Sequence, residues 1–182
     1  NLIKSNSDSY NHVSDTLKRD SDFLVEAMKK SPSVISYAHS DLHNNDELME
    51  KLTFKYAIPL QYASDKLKNN RSLVLSAVRK KGDLFHYISP KLKEDQEISL
   101  VALEQTSYVY EAISDKLKQN RSFILKALSL RGAVLQRLSY EYRNDEEAVL
   151  LAVKNNITAV RSASDRLKNN FNFLFKVLEL TE

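Results

Sequence analysis

Ser64-Asp65-Lys66-Leu67-Lys68-Asn69-Asn70-Arg71 decides the fold, because it returns 50 residues later as Ser114-Asp115-Lys116-Leu117-Lys118-Gln119-Asn120-Arg121. Ser14-Asp15-Thr16-Leu17-Lys18 and Ser164-Asp165-Arg166-Leu167-Lys168 keep the same spacing on either side. Weaker copies lie midway, around Leu42, Leu92 and Tyr142, so the underlying period is 25 residues and runs without an insertion. A fixed period of this length is the signature of stacked supersecondary units.

The columns of the repeat state what each position does. One reads Leu17, Leu42, Leu67, Leu92, Leu117, Tyr142, Leu167 and another Ala27, Leu52, Ala77, Ala102, Ala127, Ala152, Val177. Both are apolar throughout, as core positions must be, and the small residues of the second belong where two helices approach most closely. A third column is polar: Asp20, Asn45, Asn70, Asp95, Asn120, Asp145, Asn170. An Asp or Asn directly before an apolar-periodic run is an N-cap, its short side chain accepting from a free N–H of the first turn. The third copy then predicts a helix from about Arg71 to Lys80, with Leu73, Val74, Ala77 and Val78 on one face.

Gly82 and Gly132 come just after this helix, where a left-handed C-cap residue is expected. A shorter helix, roughly Asp83 to Ile88, comes next. Ser14, Ser64, Ser89, Ser114, Ser139 and Ser164, with His39 in the remaining copy, then cap one further turn. In the fourth copy Pro90 takes its first position and leaves room for a single turn of 3₁₀ type. Helices this short are marginal alone, since below ~12–15 residues nucleation outweighs propagation. Stacking gives them a shared core. The fold class is therefore all-α, an α-solenoid of seven 25-residue units, each a ten-residue helix, a short helix and a capped turn. The units are about 10–34, 35–59, 60–84, 85–109, 110–134, 135–159 and 160–182, in one tandem array. Leu2 and Ile3 share columns with Ala27 and Met28, so residues 1–4 read as the end of an earlier copy's helix and the chain as a slice of a longer protein.

Composition agrees. Of 182 residues 42% are hydrophobic and 28% charged, and only two glycines and three prolines interrupt them. No cysteine is present, which excludes disulfides and thiolate metal sites and suits the cytoplasm. A net charge of +3 from 27 basic and 24 acidic residues is small for a nucleic-acid binder. No apolar stretch approaches the ~18 residues of a membrane span.

The stretch from Tyr62-Ala63-Ser64-Asp65 to Arg71, then Val74-Leu75-Ser76-Ala77-Val78 and Gly82, resembles the repeats catalogued as domain of unknown function 4116. Their unit is about 50 residues, made of two similar halves. The resemblance covers nearly the whole chain, departing at His39-Ser40-Asp41 and Tyr140-Glu141-Tyr142. It implies a helical repeat found in bacteria and protists, including proteins that intracellular pathogens deliver into host cells. It implies no activity and no catalytic residues.

Candidate sites are few. His39 and His43 have the i, i+4 spacing of two metal ligands but no third, and read as surface or capping residues. The serines recur at a cap, unlike a nucleophile, and no phosphate loop or dinucleotide fingerprint occurs. No enzyme, metal or cofactor is expected. Tyr37, Tyr62 and Tyr87 could stack bases, but the column continues as Ala112, Arg137 and Ser162, so nucleic acid is disfavoured. The basic column Lys18, His43, Lys68, Lys93, Lys118, Arg143, Lys168 is the candidate partner-binding ridge. Its plainer reading is that each residue meets the free carbonyls at the end of its turn. First turns also alternate in charge: Arg71 and Arg121 stand against Asp46-Glu47, Gln96-Glu97 and Glu146-Glu147, so stacking in register should pair them.

The favoured function is a non-catalytic scaffold for an unknown protein partner, as the recognition arm of a secreted bacterial effector acting in the host-cell cytosol. RNA or anionic-surface binding through the basic column is the alternative. A structural spacer beside an enzyme domain outside this segment is the second alternative.

Overall fold

The computed structural model describes residues 7–180, so the reading of residues 1–4 lies outside the described residues. Among the described residues there is no strand, and the chain is an all-α repeat fold. It divides into two compact units, residues 1–92 and 93–182.

The N-terminal unit contains the long helices α1 (Ser21–Met28), α2 (Asp46–Tyr56) and α3 (Arg71–Lys80). The C-terminal unit contains α4 (Gln96–Gln105), α5 (Arg121–Leu130), α6 (Glu146–Asn155) and α7 (Phe171–Glu179). Each begins directly after its Asp or Asn. All seven caps accept from the backbone N–H three residues on: Asp20 from Phe23, Asn45 from Leu48, Asn70 from Leu73, Asp95 from Ile98. Asn120, Asp145 and Asn170 do the same for Phe123, Ala148 and Phe173.

Each long helix before α7 leads into a 3₁₀ turn, such as Gly82–Tyr87 after α3, rather than into a short α-helix. The serine cap then starts a single turn, as at Asp65–Lys68, where the Ser64 hydroxyl accepts from the Leu67 N–H at 3.4 Å. Pro90 changes only the local form, giving the 3₁₀ turn Leu92–Glu94. His39 caps with Nδ1, which accepts from the Asp41 N–H at 3.2 Å. Ser139 makes no such side-chain bond.

The serine caps also tie copies together. Ser89 N–H donates to the Lys68 carbonyl at 3.0 Å and its hydroxyl to Asn69 Oδ1 at 2.8 Å. Ser164 repeats both bonds with the Arg143 carbonyl and Asn144 Oδ1, at 2.8 and 2.7 Å. A short polar side chain here therefore serves its own turn and the preceding copy at once.

Gly82 and Gly132 are not left-handed C-caps, since no described glycine has positive φ. α5 ends because Arg131 is extended (φ −147°, ψ 97°). Gly132 instead lets the chain press on α6: a Cβ there would overlap the Ala152 carbonyl oxygen and stand 3.0 Å from its carbon. Asn155 closes the same junction, its Oδ1 accepting from the Gly132 N–H at 2.7 Å and its Nδ2 donating to the Leu130 carbonyl at 2.9 Å. The small Ala152 thus lies at a close approach, as its column suggests.

The core follows the columns, except that Leu17 is exposed and two polar residues, Ser99 in the Val74 column and Thr53 in the Val78 column, are buried. Met28, Val78, Leu103, Leu128 and Val153 are buried, and so is Thr53 in the same column. The Thr53 hydroxyl is buried without a hydrogen-bond partner. An unsatisfied hydroxyl costs roughly 1–3 kcal/mol, and valine has nearly the same shape. Thr53→Val is expected to raise unfolding free energy by about 1 kcal/mol in urea melts. A loss of stability would mean that the hydroxyl is satisfied in solution.

Candidate interaction surface

The basic column lies at the ends of the serine-capped turns, half-buried except for the exposed Lys168. Lys118 Nζ donates to the Glu111 carbonyl at 2.9 Å, stands 3.9 Å from Asp115 and lies 5.5 Å over the Tyr110 ring. His43 Nε2 lies 2.8 Å from the Ile35 carbonyl, its ring stacked on Tyr62 at 5.2 Å. The carbonyls reached thus belong to the preceding 3₁₀ turn of the same copy, not to the residue's own turn. That turn is short and folds back, which brings its carbonyls beside the column. Lys168 pairs with Asp165 at 2.9 Å. The charges of Lys118 and Lys168 are therefore engaged within the chain.

His39 and His43 serve separate local bonds, and no group of three metal-ligating side chains occurs among the described residues. Of the tyrosines, Tyr62 is spent on His43 and Tyr87 is 43% exposed.

The alternating first turns do meet in the C-terminal unit. Arg121 forks between Asp145 Oδ2 at 2.5 Å and Glu147 Oε2 at 2.7 Å, across adjacent helices. Partial burial raises the Asp145 pKa, but hydrogen bonds from Arg121 and the Ala148 and Glu147 N–H groups outweigh it, leaving the group below its ordinary value. A carboxylate depressed in the fold contributes stability above its unfolded pKa of about 4 and loses it as pH falls through the lower folded value. Asn caps as well as Asp does, so Asp145→Asn removes the charge and keeps the cap. Thermal melts should show the wild type more stable at pH 6, the gap closing below about pH 4. A gap independent of pH would assign it to packing.

A different feature stands out on the long helices of the C-terminal unit. Between α6 and α7 runs an open apolar groove of about 500 Å³, floored by Leu150, Leu151 and Leu180. Its rim is charged: Glu146, Glu147 and Lys154 from α6, Lys176 and Glu179 from α7. Between α4 and α5 runs a second, of about 390 Å³, on Leu100, Val101 and Leu130 with Gln96, Glu97, Glu104 and Lys126 around it. Every residue of the second has its counterpart 50 positions on in the first.

The cause lies in two columns. Where Asn155 and Gly132 draw α5 and α6 together, Asn155 is a clamp; Leu130 and Leu180 occupy the clamp's column at the open junctions. The N-terminal unit is an internal contrast. Its α2 carries Glu50-Lys51 where α4 and α6 carry Leu100-Val101 and Leu150-Leu151. Its α3 ends in Lys80, whose ammonium caps the Phe54 and Lys55 carbonyls, where Leu130 ends α5 and Leu180 directly follows α7. Reading the core face alone passes over these residues. The signal in the sequence is the switch from charged to apolar in two otherwise polar columns.

The sequence pattern of the domain of unknown function DUF4116 matches residues 1–43, 45–93, 70–118 and 120–168. Residues 70–93 fall in two of these matches, once as a second half and once as a first, as a unit of two like halves requires. No curated protein and no solved structure matches the chain. No helix among the described residues is long and apolar enough to cross a membrane. By its repeats, which extend over most of its length, the chain belongs to the DUF4116 family.

Proposed function

We propose that the chain is a non-catalytic helical-repeat scaffold that binds a protein partner, with the groove pair of the C-terminal unit as the binding face. The observation that carries this is the recurrence of an open apolar floor with a charged rim at a 50-residue spacing. Apolar floors inside polar rims are the anatomy of protein-recognition surfaces. Two like grooves in one unit favour an extended partner over a small ligand. Binding of RNA through the basic column is the weaker reading, because Lys118 and Lys168 already meet a carbonyl or a carboxylate.

The test is selection of peptides from a random displayed library on the wild-type chain. The comparison variant is Leu150→Glu with Leu151→Lys, the pair that α2 carries, so the fold should accept it. Binders that fail on this variant, with affinity changing little between low and high salt, support the reading. Binders indifferent to it, or tight RNA binding with a steep salt dependence, would overturn it.

A further inference from the structure

The charges around the two grooves differ in how far they are already used. Glu146 pairs with Lys176 at 2.5 Å and Glu147 with Arg121 at 2.7 Å. Glu97 is also engaged within the protein. Four rim groups, Glu104, Lys126, Lys154 and Glu179, have no ion-pair partner among the described residues. Glu104 comes from α4 and Lys126 from α5, on opposite lips of one groove. Lys154 comes from α6 and Glu179 from α7, on opposite lips of the other. From α4 to α7 the available charges run minus, plus, plus, minus, with an apolar floor inside each outer pair.

Resting on the reading of the grooves as a protein-binding face, we propose that the partner is one peptide segment of mirror-ordered charge. It carries a basic residue, an apolar pair and an acidic residue, then a spacer, then an acidic residue, an apolar pair and a basic residue. Each apolar pair lies on a leucine floor. The basic ends meet Glu104 and Glu179, and the acidic inner residues meet Lys126 and Lys154. Helix axes pack at ~8–10 Å, so two copies separate the grooves by roughly 20 Å. About six extended residues cover that distance. The order of charges, not their sum, distinguishes this partner: the four groups cancel, so neither a polyanion nor a polycation is favoured.

Rim pairs each contribute little, and four of them acting together set partner choice more than affinity. The probe is a synthetic peptide Lys-Leu-Leu-Asp, a two-residue Gly/Ser spacer that sets the leucine pairs about six residues apart, then Asp-Leu-Leu-Lys, measured against its charge inverse Asp-Leu-Leu-Lys, spacer, Lys-Leu-Leu-Asp. Titration at physiological salt should favour the first by about tenfold. A chain carrying Glu104→Lys, Lys126→Glu, Lys154→Glu and Glu179→Lys should reverse that preference while its circular dichroism stays unchanged. Equal binding of the two peptides, abolished by Leu150→Glu with Leu151→Lys, would overturn the charge order and leave the groove reading standing. Failure of both peptides to bind would also overturn it. Displayed-library binders that ignore the leucine floor would overturn the groove reading itself.

Discussion

Gly132→Ala is expected to destabilise the C-terminal unit by about 3 kcal/mol, the upper range for forcing one carbon into a close-packed site. The added Cβ meets backbone, not a side chain that could swing away: the Ala152 carbonyl oxygen, with its carbon at 3.0 Å and its Cα at 3.3 Å. That oxygen also accepts from the Asn156 N–H at 2.8 Å, so moving it loosens the end of α6. Gly132→Asn separates the two reasons for glycine. At a left-handed cap asparagine is the next-best residue and would restore most of the loss. At a close approach it is at least as harmful as alanine, and that is the expected order in urea melts. Ala57 supplies the opposite case in the same column. It is the described non-glycine residue with positive φ, at 66°, and it is buried. Strain relief in Ala57→Gly, ~1–2 kcal/mol, is offset by lost methyl burial and by a more flexible unfolded chain, so the change should be close to neutral. Asparagine rescuing position 132 would return the glycine to the role its place after the helix suggests.

That glycine marks where reading the sequence stops being sufficient. The helix starts were legible because an N-cap is a local device. Asn120 needs only its own first turn to be recognised, and all seven caps bond as the column predicts. The core columns were legible because burial repeats at most copies, with Leu17 exposed and Tyr142 half-buried in the Leu67 column. Gly132 is misread from sequence because its neighbour, Ala152, is 20 positions away and belongs to another helix. Lys118 is expected at carbonyls of its own turn and reaches Glu111 instead, since nothing in the spacing says how the 3₁₀ turn folds back. The grooves depend on the distance between helices. That distance is set jointly by a glycine, an asparagine clamp and two leucines, a combination that no single column displays.

Phe123→Ala should produce the other large loss, about 3–5 kcal/mol, the range for removing a fully buried phenyl ring. Phe123 is 0% exposed, at the third position of α5, where its N–H also meets the Asn120 cap at 3.0 Å. Its column holds Ala148 in the next copy, likewise buried. α5 packs on both α4 and α6, and the cavity therefore weakens two junctions. Phe171, 78% exposed on α7, is the control: its replacement by alanine should stay within ~0.5 kcal/mol. Because α5 contacts its neighbours within the C-terminal unit, the loss is local before it is global. Hydrogen exchange should show amides of α4, α5 and α6 losing protection in Phe123→Ala while those of α2 and α3 keep most of theirs. A uniform loss over the whole chain would instead make the array a single cooperative block. The 50-residue alternation of close and open junctions would then have no counterpart in its unfolding.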